Sequence, residues 1–368
     1  MGRDTDVLVV GGGPAGLAAA IAARKKGFAV TVVDGAKPPI DKACGEGLMP
    51  DTVSALGELG IKIHADDGRR YRGIRFLDGT ASAETSLLDA PGIGVRRTVL
   101  HQKMVERAEE CGISLLWNTL VTGLTPKGAM VGGSEFAARW VIGADGIRSR
   151  VRRWGGLDPS SQGAVRFGHR RHYRVKPWTD YMEIHWGRGM QAYVTPIGNE
   201  ETCVVLIADN PRTRFEEIRR EFPRLASSLE GGELNSAERG AVTEMRSLER
   251  VYRGNVALIG DASGSVDAIT GEGLCLGFRH AMALAEALEA EDLEFYQKAH
   301  RRLSKRLKAM GRLLLWLGRN TAVRRRALKA LASDPELFAR LLAVHAGESS
   351  PRQFATTSMR LGWQFLTA

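Results

Sequence analysis

The stretch VLVVGGGPAG, residues 7–16, decides the fold of this chain. Its first four residues are apolar, as in a strand buried on both faces, and they run directly into a GxGxxG pattern. The three fixed glycines of that pattern are Gly11, Gly13 and Gly16. Such glycines allow a tight turn, close approach of the backbone to a pyrophosphate, and close packing of a helix on a strand.

The residues that follow complete the unit. Residues 17–26 predict an alanine-rich helix that Gly27 ends, and residues 29–33 predict a second buried strand that leads to Asp34. The free N–H groups at the start of the helix form an anion site, and Asp34 lies about twenty residues downstream, where a ribose hydroxyl needs an acceptor. The sequence therefore predicts a dinucleotide-binding unit at the start of the chain.

Two later stretches each place an acid and a glycine directly after an apolar strand. They are WVIGADGIRS at residues 140–149 and VALIGDA at residues 256–262. The second is followed by Gly271 and Gly273, which open a predicted helix that ends near Leu288. Acid–glycine pairs are also common in ordinary turns, so neither stretch identifies a site by itself.

Taken together, in this order and at this spacing, the three stretches resemble the FAD-dependent oxidoreductases of the geranylgeranyl reductase and flavoprotein hydroxylase superfamily. The resemblance implies that Asp145 supports the FAD pyrophosphate, that Asp261 accepts a hydrogen bond from a ribityl hydroxyl, and that the later helix directs its positive end at the flavin. An arginine that lies along the cofactor in the family matches Arg97. The implied cofactor-binding residues are Gly11, Gly13, Gly16, Asp34, Arg97, Asp145, Gly146, Gly260, Asp261, Gly271 and Gly273.

A further stretch, KACGEGLMP at residues 42–50, is similar to the CGxG segment of geranylgeranyl reductases. In that family the segment lies beside the reacting face of the flavin. Cys44, Gly45 and Gly47 are therefore expected at the catalytic surface. The alternative for Cys44 is a buried, unreactive core residue, since cysteine often acts as a small hydrophobic side chain.

Between the second and third stretches the pattern alternates and turns often, which predicts an antiparallel sheet. Within it, the sequence YVTP at residues 193–196 loosely resembles the strand that lines the substrate cavity of geranylgeranyl reductases. Tyr193 is therefore a candidate catalytic residue, and His185 and Trp186 are candidates to face substrate. The alternative is that these aromatic side chains belong to the core of the sheet.

These patterns predict an α/β protein: a Rossmann-like FAD-binding domain with an inserted antiparallel-sheet substrate domain and a C-terminal helical region. We expect the FAD-binding domain at residues 1–70, 94–155 and 250–290, the substrate domain at residues 71–93 and 156–249, and the helical region at residues 291–368. A chain of 368 residues exceeds a typical single domain, which favours this division.

The cysteine pattern and the hydropathy indicate the compartment. The four cysteines have neither metal-ligand spacing nor a disulfide framework, so we predict no metal and a reducing cytoplasm. Since the predicted first strand begins almost at the N-terminus, we expect no signal peptide, and no apolar run approaches the roughly 20 residues that span a bilayer.

The basic charge is concentrated near the C-terminus. Residues 298–329 contain twelve lysines and arginines and no acid, and Leu303, Leu307, Met310, Leu314 and Leu317 share one helical face. The favoured interpretation is a helix that packs its leucines on the protein and leaves its cations in water. Peripheral contact with an anionic membrane is the alternative. No nucleic-acid-binding module accompanies the charge, so no nucleic-acid partner is expected.

The resemblance implies an FAD-dependent oxidoreductase that reduces a carbon–carbon double bond of a lipophilic, isoprenoid-like small molecule by hydride transfer from reduced flavin. NADPH or NADH would dock transiently as reductant, or an electron-donor protein would reduce the flavin. The alternative is an FAD-dependent monooxygenase that acts through a flavin C4a-hydroperoxide, because the same fold serves both chemistries. A third hypothesis is a flavin-binding module without catalysis.

Overall fold

The computed structural model describes residues 4–88, 90–158, 163 and 165–346. The strands are β1 (Thr5–Val10), β2 (Val30–Val33), β3 (Gly47–Leu48), β4 (Arg69–Tyr71), β5 (Gly73–Asp78), β6 (Ala81–Ser86), β7 (Gly92–Gly94), β8 (Ser114–Leu116), β9 (Val121–Thr125), β10 (Gly128–Val131), β11 (Ser134–Gly143), β12 (Val165–Arg174), β13 (Tyr181–Trp186), β14 (Met190–Gly198), β15 (Glu201–Ala208), β16 (Glu233–Leu234), β17 (Arg239–Glu244), β18 (Arg246–Ser247), β19 (Tyr252–Arg253), β20 (Val256–Leu258) and β21 (Gly264–Ser265). The helices are α1 (Pro14–Lys25), α2 (Pro50–Glu58), α3 (Arg97–Glu110), α4 (Arg150–Trp154), α5 (Ile218–Glu221), α6 (Pro223–Ser228), α7 (Gly273–Glu289), α8 (Leu293–Arg319), α9 (Thr321–Ser333) and α10 (Pro335–Ala346).

The first sheet has a parallel core in the order β20-β11-β1-β2-β8, with β19 antiparallel to β20 at one edge. At its centre β1 pairs with both β2 and β11, so that Val7 lies opposite Val30 and Trp140. A strand with neighbours on both edges and helices on its faces has no exposed side, which is why its sequence is a continuous apolar run. The Rossmann-like unit predicted from residues 7–34 is confirmed.

The second sheet has the order β16-β12-β15-β14-β13-β5-β6 and is antiparallel except between β5 and β13. It is covered on both sides. Ala192 and Val194 pack against helices α5 and α6, whereas Tyr193 belongs to the cluster on the opposite face. Successive side chains of a strand point to opposite faces, so the buried pattern of β14 follows from two covered faces.

The C-terminal helices cover the second face of this sheet. The basic segment, predicted as one amphipathic helix, forms the two helices α8 and α9, which meet at Asn320. Arg324 fixes this corner: its Nη1 donates to the carbonyl of Gly318 at 2.9 Å, and its Nε pairs with Asp78 at the end of β5. Leu307 is buried and Leu317 packs against the sheet, as expected for a helix that packs its leucines on the protein.

These features confirm the predicted fold class, with a Rossmann-like unit, a largely antiparallel second sheet and a helical C-terminal region. The described part of that region ends at residue 346, so residues 347–368 of the prediction lie outside it. No helix within the described residues is long and apolar enough to cross a bilayer.

Helices α7 and α8 pack against each other through a pair of buried histidines. The rings of His280 and His300 stack with centroids 4.1 Å apart. His300 Nε2 lies 3.0 Å from the hydroxyl of Ser263, which donates to the carbonyl of Gly260 at 2.8 Å. Burial, with a smaller contribution from Lys308, lowers the pKa of His280 to about 3. Both rings are therefore neutral near pH 7, because the pKa of His300 is also lowered by burial.

We expect this pair to make the fold sensitive to acid. The unfolded chain binds a proton at His280 near pH 6.5, whereas the folded chain binds it only near pH 3. The stability contributed by the neutral ring is complete above pH 6.5 and is lost as the pH falls toward 3. One group of this kind removes about 2 kcal/mol of unfolding free energy between pH 7 and pH 5.

The measurement is urea unfolding of wild type and of His280→Gln at several pH values in this range. The difference in unfolding free energy between the two proteins should shrink as the pH falls. His64→Gln is the control, because His64 is exposed and should keep the wild-type slope. A difference that stays constant from pH 7 to pH 5 would contradict the prediction.

Candidate active site

A cavity of about 770 Å³ lies between the carboxyl ends of the parallel strands and the inner face of the second sheet. It brings together residues from all the motifs predicted from the sequence. The predicted cofactor-binding residues that line it are Gly11, Gly13, Asp34, Arg97, Asp145, Gly146, Gly260, Asp261, Gly271 and Gly273. The four predicted catalytic residues, Cys44, Gly45, Gly47 and Tyr193, also line it.

The first glycine turn shows why each glycine is needed. Gly11 has a φ of 113°, and a Cβ there would lie 2.5 Å from the carbonyl oxygen of Ala144. A Cβ at Gly16 would overlap the carbonyl oxygen of Gly11, so Gly16 serves helix packing and does not line the cavity. A Cβ at Gly13 would meet nothing within 4 Å. Gly13 therefore leaves space open in the cavity at the start of α1.

Asp34 is held by the same turn. Its carboxylate accepts hydrogen bonds from the backbone N–H groups of Gly12 at 2.6 Å and Ala36 at 2.8 Å. These bonds fix the side chain at the cavity wall, and each oxygen retains a lone pair for a further donor.

His101, which was not predicted from the sequence, contacts the backbone of the first glycine turn. Its Nε2 donates to the carbonyl of Gly12 at 2.8 Å, and its Nδ1 accepts from the N–H of Ile40 at 3.4 Å. This pattern requires a neutral ring, and burial accordingly lowers the pKa of His101. Its sequence signal was its position four residues after Arg97, on the buried face of α3.

Arg97 begins α3 and is almost fully buried, with 9% of its surface exposed. Its guanidinium Nε has no hydrogen-bond partner among the described residues. A buried cationic donor without a partner is costly, and an anionic or carbonyl group of a bound cofactor would satisfy it.

The Asp145 turn is shaped by the start of α4. Asp145 Oδ2 accepts from the N–H groups of Arg150 at 2.6 Å and Val151 at 3.1 Å, while its Oδ1 is buried and has no partner among the described residues. Arg148, the arginine within residues 140–149, is exposed and does not line the cavity, whereas Arg150 does.

The third turn brings Asp261 and the start of α7 to the same cavity. Asp261 forms an ion pair with Lys42 at 3.0 Å. Gly260 and Gly271 have φ values of 59° and 69°, in the left-handed region that favours glycine. Gly273 is the first residue of the 17-residue helix α7, so the helix directs its positive end into the cavity.

Residues 44–47 form the CGEG segment, and Glu46, which the sequence analysis did not single out, fixes its position. Glu46 has a φ of 59° and only 2% of its surface is exposed. Its carboxylate accepts from the N–H of Arg97 at 2.9 Å, from Arg170 Nη1 at 3.0 Å, and from His172 Nε2 at 2.7 Å. Arg170 also forms a bidentate pair with Asp41, at 2.8 and 3.0 Å. The available signal was the set of alternate basic residues on β12, which share one face of the sheet.

Neighbouring residues of the segment contact the second sheet. The hydroxyl of Thr195 donates to the carbonyl of Gly45 at 2.7 Å, and a Cβ at Gly47 would lie 2.8 Å from the sulfur of Met182. Cys44 is half-buried and its sulfur accepts from the N–H of Glu46 at 3.4 Å. The segment therefore lies where the two sheets meet.

Tyr193 and Trp186 line the cavity, as predicted. The Tyr193 hydroxyl donates to the carbonyl of Ile269 at 3.0 Å, and burial raises the pKa of the phenol. The bond favours a role in holding the turn before α7. His185 does not line the cavity: it bonds Glu183 and packs edge-on against Phe222. The expectation for His185 was wrong because adjacent strand residues point to opposite faces.

The far part of the cavity is apolar. Its walls come from the second sheet and from the C-terminal helices α8, α9 and α10. They include Met182, Ile184, Trp186, Leu314, Leu317, Leu328, Phe338 and Leu342. The cavity thus combines a region of glycines, acids and the buried Arg97 with an apolar pocket.

These features fit FAD. The open space at Gly13 and the start of α1 suits a pyrophosphate, Asp34 and Asp261 supply acceptors for hydroxyl groups, and Arg97 offers a donor without a partner.

The comparisons with known proteins agree with this fit. Residues 4–303 match the family described as FAD binding domain. The menaquinone reductase of Mycobacterium tuberculosis is 30% identical over 329 residues, which cover 78% of this chain and 77% of that protein. A digeranylgeranylglycerophospholipid reductase of Methanopyrus kandleri is 30% identical over 319 residues, covering 78% and 82%.

Among solved structures, a flavoprotein/dehydrogenase from Cytophaga hutchinsonii matches with a TM-score of 0.80 and 21% identity, covering 93% of this chain and 92% of that one. This likeness shows the fold. From the family match and the two relatives, we conclude that the chain belongs to the FAD-binding domain family and is an FAD-dependent oxidoreductase.

Proposed function

We propose that this protein reduces a carbon–carbon double bond of a lipophilic, isoprenoid-like substrate. The observation that carries the proposal is the cavity, in which the glycine-lined region continues into an apolar pocket between the second sheet and the C-terminal helices. The names of the two relatives, a menaquinone reductase and a digeranylgeranylglycerophospholipid reductase, support an isoprenoid-containing substrate.

In the proposed arrangement, the chain holds FAD through its three turns. Gly13 and the start of α1 bind the pyrophosphate, Asp34 and Asp261 accept from hydroxyl groups, and Arg97 donates to the cofactor. Bound FAD, once reduced, supplies the hydride. The positive end of α7 stabilises negative charge that develops beside it.

The CGEG segment forms the surface at which substrate meets cofactor. Glu46 ties it to the start of α3, and Thr195 ties it to the second sheet, so its backbone position is fixed before substrate binds. The apolar walls orient the substrate and exclude water from the reacting atoms. The chain carries one GxGxxG unit of this kind, so NADPH, NADH or an electron-donor protein would act transiently.

The alternative function is a monooxygenase, in which oxygen is the second substrate. The same cavity accommodates either reaction, and the two differ in what oxidises the cofactor.

We expect anaerobic enzyme with reduced FAD to add two hydrogens to the prenyl chain of a polyprenyl quinone, with reoxidation of the flavin, so that the product stays two mass units heavier after any quinol is reoxidised to the quinone. The reason is that hydride and proton addition needs no oxygen. The measurement is anaerobic single turnover, followed by flavin absorbance and mass spectrometry of the lipid. Oxygen uptake that is coupled to turnover, with no product formed anaerobically, would favour the monooxygenase instead.

We expect Gly13→Ala to weaken FAD binding by about tenfold or more while the apoprotein stays folded. The new methyl group meets no protein atom within 4 Å, so it occupies cofactor space alone. Isothermal titration with FAD measures the change. The control is Gly57→Ala on α2, where a Cβ also meets nothing within 4 Å but lies outside the cavity. Equal affinity in both variants would refute the position of the pyrophosphate.

We expect Cys44→Ala to slow reoxidation of reduced FAD by substrate about tenfold while FAD stays bound, because Cys44 lines the cavity within the CGEG segment. The matched control is Cys111→Ala, another half-buried cysteine, which follows α3 outside the cavity. Stopped-flow absorbance measures the rate. A wild-type rate for Cys44→Ala would return Cys44 to a purely structural role.

A further inference from the structure

The outer face of α8 is cationic. Five exposed cations recur at helical spacing along this face. They are Arg302, Lys305, Arg306, Arg312 and Arg319. None of them forms an ion pair with a described residue, whereas many arginines elsewhere in the described chain pair with carboxylates. The face therefore presents a row of uncompensated positive charge.

Two large apolar side chains interrupt this row. Leu313 is 46% exposed and Trp316 is 50% exposed, and both lie on the same face as the cations. Burying such side chains in protein is the usual outcome in a folded chain, so their exposure beside five cations marks a surface suited to contact. Tryptophan in particular favours the interface between lipid headgroups and acyl chains.

Leu313 also connects the surface with the cavity. It lines the apolar pocket together with Met310 and Leu314 of the same helix, although nearly half of its own surface is exposed. Helix α8 is therefore both a wall of the pocket and part of the outer surface. A molecule that reaches Leu313 from outside is already at the edge of the pocket.

From this arrangement we propose that the outer face of α8 docks on an anionic phospholipid surface, with Leu313 and Trp316 inserted among the headgroups. Charge complementarity selects the occupant, because five cations without an ion pair among the described residues attract anionic headgroups, repel a basic partner and gain little from a neutral one. The docked helix presents the edge of the pocket to the membrane. The entry of substrate by this path rests on the proposed function; the docking itself does not.

The test uses the full-length protein loaded with FAD and vesicles of equal parts phosphatidylglycerol and phosphatidylcholine. We expect wild type to cosediment with these vesicles, to bind pure phosphatidylcholine vesicles far less, and to lose binding as salt is raised. Fluorescence of Trp316 should shift to shorter wavelength on binding, and this shift should be absent in Trp316→Phe.

The charge variant is Arg312→Glu with Arg319→Glu, which should reduce partitioning to the anionic vesicles about twenty-fivefold or more, since each of the two cations contributes about fivefold. The matched control is Arg219→Glu with Arg224→Glu, two exposed arginines on α5 and α6. For the apolar contribution, Trp316→Glu should reduce binding, whereas Leu234→Glu, at an equally exposed leucine of β16, should not. FAD content and circular dichroism verify that each variant is folded.

Two results would overturn the proposal: no binding of wild type to anionic vesicles, or equal binding by the charge variant and its control. Loss of a dimer in the charge variant without any vesicle binding would assign the face to a second copy of the chain. Failure of the proposed function is distinguishable, because vesicle binding would then persist while no double bond is reduced in any lipid supplied.

Discussion

The buried carboxylate of Glu46 is the interaction on which the site depends. It joins the start of α3, which belongs with the first sheet, to Arg170 and His172 of the second sheet. A carboxylate with 2% exposure is stable only when its oxygens are satisfied, and removal of one partner from such a buried pair typically costs about 3 to 5 kcal/mol. The CGEG backbone is consequently fixed relative to both sheets at the wall of the cavity.

The two regions of the cavity have different chemistry. The glycine-lined region is formed largely by backbone groups, which can approach a charged cofactor closely because glycines have no side chain at the turns. Two of the acids are held in place by neighbouring N–H groups, Asp34 by that of Gly12 and Asp145 by that of Arg150. The second region uses apolar side chains from a sheet and from helices that are distant in sequence, which suits a substrate recognised mainly by its hydrocarbon surface.

The C-terminal helices complete the pocket and shape its outer surface. Arg324 anchors the corner between α8 and α9 to Asp78, so the pocket wall is tied to the second sheet by a buried ion pair. Within α8, Leu307 is buried in the protein while Trp316 remains exposed. One helix thereby lines the apolar pocket on one side and carries a cationic, partly apolar face on the other.

The sequence by itself determined the Rossmann-like unit with its GxGxxG turn, the two acid–glycine turns and the antiparallel pattern of the second sheet. These follow from local constraints: a doubly covered strand must be apolar, and a turn with positive φ favours glycine, as at Gly11 and Gly260. Only the tertiary structure decided that Glu46 meets residues more than a hundred positions away, and that α8 and α9 complete the pocket. Such contacts depend on how the elements pack. A local pattern of residues does not indicate which distant side chain will form a hydrogen bond with a buried polar group.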